Sequence, residues 1–289
     1  MEKNYTKKLI KLKLEGIGSE GDTTGYYNCE QINIFGGIPG ETVLAEIDIQ
    51  KKTKRKKSRI YGIVKKILIS SPNRLKPPCQ FYGFCTGCNW QHIKYEHQLK
   101  LKEQIIYKEI NSRITSKINI KKIIHSEKQF NYRNHARFSI RRNGQIGFTN
   151  KVTKKFAAIN HCLIMNNKIN KYINNLENLV GETSQLSIRA SENTNSFLIQ
   201  PKFKNSDIKI ETGQKYYNEQ ISGYKFQISS SSFFQVNSNQ IENMKNTILS
   251  LIKDNRKGLL VDAYSGVGTF GILLSKYFEE VIGIEQSSS

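Results

Sequence analysis

Residues 259–289 read LLVDAYSGVGTFGILLSKYFEEVIGIEQSSS. An apolar strand-like run, a G-x-G turn at Gly266 and Gly268, an apolar helix and a second strand-like run ending at Glu285 follow in order. Glycines in such a turn let backbone approach a ligand, and the helix N-terminus adds free N–H groups. An acidic residue at the end of the second strand can accept hydrogen bonds from both hydroxyls of a ribose. A nicotinamide dinucleotide and S-adenosylmethionine both suit that arrangement. Gly266, Gly268 and Gly271 have the G-x-G-x-x-G spacing of a pyrophosphate fingerprint, while Asp262 lies four residues before Gly266. The acidic residue ahead of the turn tilts the reading to S-adenosylmethionine, with a purely structural strand-to-helix turn as the bland alternative.

Working outward, the chain of 289 residues carries a formal net charge of +21 with 37% hydrophobic residues. No run approaches the roughly 20 apolar residues of a membrane span. The N-terminus, MEKNYTKKLIKLKLEG, lacks the apolar core and cleavage site of a signal peptide, so a cytoplasmic location is expected. The positive charge points to a polyanion partner, because each neutralised phosphate releases counterions. A composition rich in Lys, Asn and Ile is the competing explanation. The densest run is KKTKRKK, Lys51 to Lys57.

From about residue 5 to 68 the chain alternates polar and apolar residues between glycines, as four or five short strands of a small closed barrel would. The basic run falls on a loop between two of these strands, where long side chains reach phosphate. SSPNRLKPPC supplies three prolines and a boundary. A helix is expected over 91–112, with Ile93, Leu99, Ile105, Ile106 and Ile110 at helical spacing. Residues 127–230 read as mainly β, and a helix comes next from Ser238 with Ile241, Met244, Ile248 and Leu251 on one face. The division expected is therefore 1–68, 69–228 and 229–289.

Three of the five cysteines, Cys79, Cys85 and Cys88, stand close together in CQFYGFCTGC. Structural disulfides are unexpected in the cytoplasm, and Cys-x-x-Cys lets two thiolates grip a metal across a tight turn. The fourth donor is open among Cys29, Cys162 and His92, with Cys162 the better candidate. Cys29, placed on a barrel strand, reads as a buried small apolar side chain. A four-iron cluster, zinc or unliganded thiols all remain possible from spacing.

Taken in order, these residues resemble the RNA uracil-5-methyltransferase family, in the branch with an N-terminal TRAM barrel and a four-iron cluster typified by bacterial 23S ribosomal RNA enzymes. PGETV is similar to the barrel signature, and PPCQFYGFCTGCNWQHIKYEHQLKLK to the cluster motif. NYRNHARFSI resembles the family's Tyr-Arg-Asn strand, while SFFQVN and DAYSGVGTF resemble its two cofactor motifs. The resemblance implies a multidomain fold: an OB-like TRAM barrel, a central mainly β domain carrying a [4Fe–4S] cluster, and the start of a Rossmann-like methyltransferase domain. It implies cluster ligands Cys79, Cys85, Cys88 and Cys162. It further implies that Gln235, Tyr264, Gly266, Thr269 and Glu285 meet S-adenosylmethionine, although the family often has Asn where Thr269 stands. Lys54, Arg55, Lys56, Lys57 and Arg133 would contact RNA. From the residues alone, Gln235 equally reads as a helix-turn residue, Tyr264 as buried packing, Phe233 and Phe234 as core, and Arg133 as a structural ion pair.

The implied reaction is methylation of uridine C5 in RNA by a monomeric enzyme, with 23S ribosomal RNA the expected substrate and transfer RNA the alternative. In the family a cysteine thiolate adds to C6, C5 takes the methyl group, and a carboxylate helps remove the C5 proton. Both groups are expected beyond Ser289, about 150 residues being a usual domain. Residues 1–289 alone are then expected to be inactive, with exposed apolar surface in their last stretch. A non-catalytic RNA-binding iron–sulfur module is the competing class. A metal-dependent redox protein fits the cysteines but neither the charge nor the glycine turn.

Overall fold

The computed structural model describes residues 6–18, 20–49, 61–116, 118–252 and 258–287. The chain forms two compact units, Met1–His125 with Phe148–Ala157, and Ser126–Gly147 with Ala158–Ser289. Residues 70–125 thus pack with the N-terminal strands. The basic residues Lys54, Arg55, Lys56 and Lys57 lie outside the described residues.

In the first unit, β1 (Thr6–Lys13), β2 (Gly16–Ile17), β3 (Thr23–Tyr27), β4 (Glu30–Phe35), β5 (Thr42–Ile49) and β6 (Tyr61–Ile69) form one sheet in the order β1-β5-β6-β4-β3-β2. The strands alternate as the sequence suggests: Ile10, Leu12 and Leu14 point inward between exposed lysines, and Ile32, Ile34, Val43, Ala45 and Ile47 meet them. The sheet curls. The N–H of Glu15, just past β1, donates to the carbonyl of Thr24 on β3 at 2.9 Å. Glycine is required at that closure, because a Cβ on Gly25 would meet the Lys13 carbonyl oxygen at 3.2 Å and collide with Leu12. Six strands replace the four or five expected because the two-residue β2 is too short to leave a pattern.

Cys29 departs from expectation. It occupies the hairpin turn between β3 and β4 with Asn28, at φ 61° and 49°, and its thiol is exposed. Positive φ at both central residues is what a two-residue hairpin matching the strand twist demands, so Cys29 is neither on a strand nor buried.

Glu41, fully buried, anchors the segment that leaves the barrel. Arg74 grips its carboxylate with Nε and Nη2, each at 2.6 Å, and the N–H groups of Ser71 and Ile38 donate at 3.1 and 3.0 Å. Burial opposes the charge, but these donors outweigh it and hold the carboxyl below its usual range. Helix α1 (Tyr95–Asn111) starts later than Gln91 because Ile93 bridges to Arg74 and Lys94 is extended. Its buried residue is Leu101, packed with Ile38 and Ile93, while Ile106 is 45% exposed.

In the second unit β7 (His135–Ile140) pairs with the beginning of β8 (Ile146–Thr149), and the chain leaves this unit and re-enters it through β9 (Phe156–Ala158). Helix α2 (Asn167–Leu176) was not expected, since its many asparagines are poor helix formers. Asn166 caps it by accepting the Ile169 N–H at 2.9 Å. Ile169, Ile173 and Leu176, spaced i, i+4 and i+7, are fully buried, each worth about 1.5–3 kcal/mol. β10 (Gln185–Ala190) lies between β7 and β11 (Phe197–Gln200), all antiparallel. β12 (Tyr216–Ile221) and β13 (Tyr224–Ser229) form a hairpin over Ser222 and Gly223. Helix α3 (Asn239–Ile252), β14 (Leu259–Ala263), the short α4 (Thr269–Leu274) and β15 (Glu280–Ile284) complete the chain, with β14 and β15 parallel. Leu198, Tyr217, Phe226, Ile228, Phe234, Ile241 and Leu273 share one core. One face of the β14–β15 pair is open: Leu259, Val261, Ile282 and Ile284 are 41–56% exposed.

Candidate functional site

The G-x-G turn forms as its sequence requires. Tyr264, Gly266 and Gly268 take φ values of 62°, 56° and 74°. This winds the chain from β14 into α4, with Gly268 as the residue before the helix. Asp262 accepts the Gly271 N–H at 2.8 Å and so ties the strand to the helix. Glu285, just past β15, accepts the Gly266 N–H at 2.7 Å and the Ser287 N–H at 2.7 Å. Those donors, Ser287 first and Gly266 next, hold its carboxyl below the usual range. Nothing lies within 4 Å of where a Gly266 Cβ would stand. An exposed carboxylate and open glycine backbone at the C-terminal ends of two parallel strands fit a nucleoside with a ribose diol. Tyr264 is 91% exposed, so it is not a packing residue, and Thr269 is buried at the start of α4.

Gln235 sits on the segment between β13 and α3, and its main chain is fastened from across the unit. Asn134 donates through Nδ2 to the Gln235 carbonyl at 3.0 Å and to Ser238 Oγ at 3.0 Å. Its own N–H reaches the Val236 carbonyl at 2.9 Å. Arg189, 2% exposed, donates Nη2 to the Ser232 carbonyl at 2.6 Å and lies over the Tyr217 ring. Phe234 is buried in the core, whereas Phe233 is 74% exposed and not part of it. The exposure comes from strand-like alternation along Phe233–Phe234, which turns one ring in and the other out. Arg133 donates Nε to the His135 carbonyl at 3.0 Å and makes no ion pair among the described residues, so the structural salt bridge is absent there.

Cys79, Cys85 and Cys88 sit half-buried in one loop of the first unit. Cys85 N–H donates to the Phe81 carbonyl at 2.6 Å and Tyr82 N–H to the Cys79 carbonyl at 3.1 Å. The Gly87 N–H faces Cys85 Sγ at 3.5 Å. Burial first, then the neighbouring Cys88 and Cys79 charges, push the Cys85 thiol up. Residues 150–152 brace this loop: Asn150 Nδ2 donates to the Phe84 carbonyl at 2.9 Å, and Lys151 N–H to Thr86 Oγ1 at 2.7 Å. Three thiols in one loop, one of them facing an N–H, are donors of the kind that suits a soft metal or a cluster. Even so, among the described residues no group of three or more His, Cys, Asp or Glu is gathered as a metal site. His92 is removed as a donor: it is 1% exposed, with Nδ1 against Tyr82 Oη at 2.5 Å and Nε2 against the Gly37 carbonyl at 2.8 Å. Burial drives its pKa down to about 4. Cys162 belongs to the second unit, where Asn170 Oδ1 accepts its N–H at 2.8 Å.

The residues missed by sequence are the braces: Arg74, Asn134, Asn150 and Arg189. Asn134 alone carried a signal, standing inside NYRNHARFSI.

No family model matches the chain. Over nearly its whole length it is similar to proteins described as uncharacterized RNA methyltransferases. One from Aquifex aeolicus (strain VF5) is 28% identical over 98% of this chain and 73% of that protein. Another, from Caldanaerobacter subterraneus subsp. tengcongensis, is 26% identical over 96% of this chain and 73% of the relative. A third, from Prochlorococcus marinus, is 28% identical over 86% and 72%. The crystal structure of Pyrococcus abyssi tRNA (uracil-54, C5)-methyltransferase in complex with S-adenosyl-L-homocysteine matches with a TM-score of 0.66 and 23% identity, covering 96% of this chain and 73% of that one. The shared fold is multidomain and mixed α/β, with several β-sheets.

Proposed function

We propose that this chain belongs to an S-adenosylmethionine-dependent RNA methyltransferase acting on C5 of uridine. The observation that carries the proposal is the Gly266–Glu285 turn, with its open backbone and ribose-compatible carboxylate, in a chain similar throughout to RNA methyltransferases. S-adenosylmethionine supplies an electrophilic methyl group when bound. Glu285 would take the ribose hydroxyls, Gly266 would admit the nucleoside to the backbone, and Tyr264 would cover it from its exposed position. Gln235 would be held at the site through Asn134. Thr269 is the less direct contact, since it is buried.

The RNA partner is supported by the +21 charge and by the curled N-terminal sheet with its exposed lysines. Ribosomal RNA remains the expected substrate on the motif resemblance. Transfer RNA, the substrate named for the matching solved structure, is the alternative. A [4Fe–4S] cluster is proposed on Cys79, Cys85 and Cys88, with Cys162 as the fourth ligand by resemblance only. We assign none of the five cysteines as the nucleophile, and therefore propose that residues 1–289 bind donor and RNA without turnover.

The test is calorimetric titration of residues 1–289 with S-adenosylhomocysteine, alongside tritium transfer from labelled donor into ribosomal and transfer RNA. Binding of the nucleoside without 5-methyluridine formation is expected. Lack of nucleoside binding overturns the site, and 5-methyluridine formation overturns the assignment of the nucleophile.

A further inference from the structure

The second unit holds a cavity of about 360 Å3 that the donor site does not use. It is lined by Arg137, Thr183, Gln185, Ser187, Gln200 and Ser230, among others. Its size is at the low end of ligand pockets, which run from about 300 to 1,000 Å3. That is room for one nucleotide rather than an extended ligand.

Its lining offers a cation, hydroxyls and amides and no carboxylate. Arg137 projects from β7 exposed, and among the described residues it makes no ion pair and no side-chain hydrogen bond. The hydroxyls are set by the fold: Ser187 Oγ lies 3.1 Å from His135 Nε2, and Thr183 Oγ1 donates to the Gln185 carbonyl at 3.1 Å. Gln200 Nε2 is committed to the Gln214 carbonyl at 2.6 Å, which leaves its oxygen as an oriented acceptor. An unpaired guanidinium attracts a phosphate, and fixed hydroxyls and amide oxygens suit a base edge or a 2′-hydroxyl, the group that marks RNA.

We propose that this cavity is a nucleotide subsite for the RNA substrate, with Arg137 on a backbone phosphate and Ser187, Gln185 and Gln200 on the base or ribose of one splayed-out nucleotide. The proposal deepens the reading of RNA as substrate and rests on it. Sequence-selective RNA recognition acts mainly on unstacked nucleotides of single strands, which a one-nucleotide hollow accepts and a duplex does not.

The test measures binding of a fluorescein-labelled, mixed-sequence single-stranded RNA decamer to the full chain across a salt series. The variants are Arg137→Gln, Ser187→Ala and, as an equal charge loss elsewhere on the unit, Lys209→Gln. Arg137→Gln should weaken binding about fivefold to tenfold and flatten the log–log salt slope by about 0.7, the value of one phosphate contact on a single strand. Ser187→Ala should narrow the preference for RNA over the matching 2′-deoxy decamer, and Lys209→Gln should change binding much less than Arg137→Gln. Crosslinking of a 4-thiouridine decamer should place label on residues 183–187 or 230–231. If wild type binds the decamer but Arg137→Gln and Ser187→Ala bind equally well, the subsite is overturned while the RNA reading stands. If wild type does not bind RNA, both fall. Competition by free uridine 5′-monophosphate or inorganic phosphate at affinities equal to the decamer's would make it a small-molecule site and overturn the proposal. Folding of each variant is checked by circular dichroism.

Discussion

Replacing Glu41 by glutamine keeps size and shape and changes only what the buried head group can accept. Four donors converge on the carboxylate: Oε1 takes Arg74 Nε and the Ser71 N–H, and Oε2 takes Arg74 Nη2 and the Ile38 N–H. An amide has one oxygen, so whichever way it turns, its NH2 faces one guanidinium N–H and one backbone N–H. The loss is one hydrogen bond to a charged group, about 1.5–3 kcal/mol, and one unsatisfied buried donor, about 1–3 kcal/mol. Arg74 is 19% exposed and keeps the Gly36 carbonyl at 2.8 Å, so water offsets part of this. The expected destabilisation is about 3 kcal/mol, in line with breaking a buried pair. The single tryptophan, Trp90, reports on this unit, since its Nε1 donates to the Gly21 carbonyl at 2.6 Å and its ring packs near Ile38 and Ile93. In urea monitored by Trp90 fluorescence at pH 7, the midpoint should fall by about 1.5 M at an m-value of about 2 kcal/mol/M. Because the folded pKa of Glu41 is depressed, its contribution is complete above the unfolded carboxyl value of about 4.3 and is lost as pH falls through the folded value. The gap between wild type and Glu41→Gln should therefore close in acid. A midpoint shift below about 0.3 M at pH 7 would refute the reasoning.

Anaerobically purified protein should carry iron and sulfide and absorb near 400 nm, and Cys85→Ser should abolish both; colourless wild type with zinc or no metal defeats the cluster. Glu285→Gln should weaken S-adenosylhomocysteine roughly tenfold by calorimetry, and unchanged affinity removes Glu285 from the site. Burial pushes His92 down to about 4 and His135 down to about 3, with Arg189, Arg137 and Arg133 adding to the latter. Both imidazoles stay neutral in the folded protein at pH 5 while the unfolded chain protonates them, so stability is lost as pH falls below about 6.5. Proton uptake on unfolding at pH 5 should drop by about one in His135→Asn, and an unchanged uptake would contradict the shift.

What the sequence disclosed was what local periodicity and turn chemistry control. The alternation of β1, β4 and β5, the G-x-G turn and α3 are each written in residues a few positions apart, although β1 then pairs with the distant β5. Helix α2 escaped because its propensity is poor, and burial of Ile169, Ile173 and Leu176 supplies what propensity does not. Cys29 and His92 were misplaced for a different reason. A turn residue at positive φ and an imidazole with both nitrogens engaged look, in sequence, like a strand residue and a free ligand. Phe233 and Phe234 divide between solvent and core by alternation along an irregular segment, which two adjacent aromatics do not announce in sequence.

The proposed donor site shows the same limit most sharply, because what holds the Gln235 segment in place is dispersed at positions 134, 189 and 232. Asn134 ends its work on the Gln235 carbonyl and Ser238 Oγ, and its own carbonyl accepts the Ala190 N–H at 3.0 Å. One residue, through its side-chain amide and its main-chain carbonyl, thus links β7, the end of β10 and the segment leading into α3. Asn134→Ala removes two side-chain hydrogen bonds and leaves the Gln235 carbonyl without its partner, about 1–3 kcal/mol. That energy adds to the Arg189 bond to Ser232 and the Asn134 N–H bond to Val236 in holding the segment on its present course. If Gln235 contacts the donor, the binding-competent fraction falls, and S-adenosylhomocysteine affinity should fall about tenfold with it. Circular dichroism should stay unchanged, since Asn134→Ala removes side-chain hydrogen bonds and no backbone hydrogen bond of a strand or helix. Wild-type affinity in Asn134→Ala would mean that Gln235 is held by its own neighbours, or that it does not meet the donor, and the positioning role of Asn134 would be withdrawn.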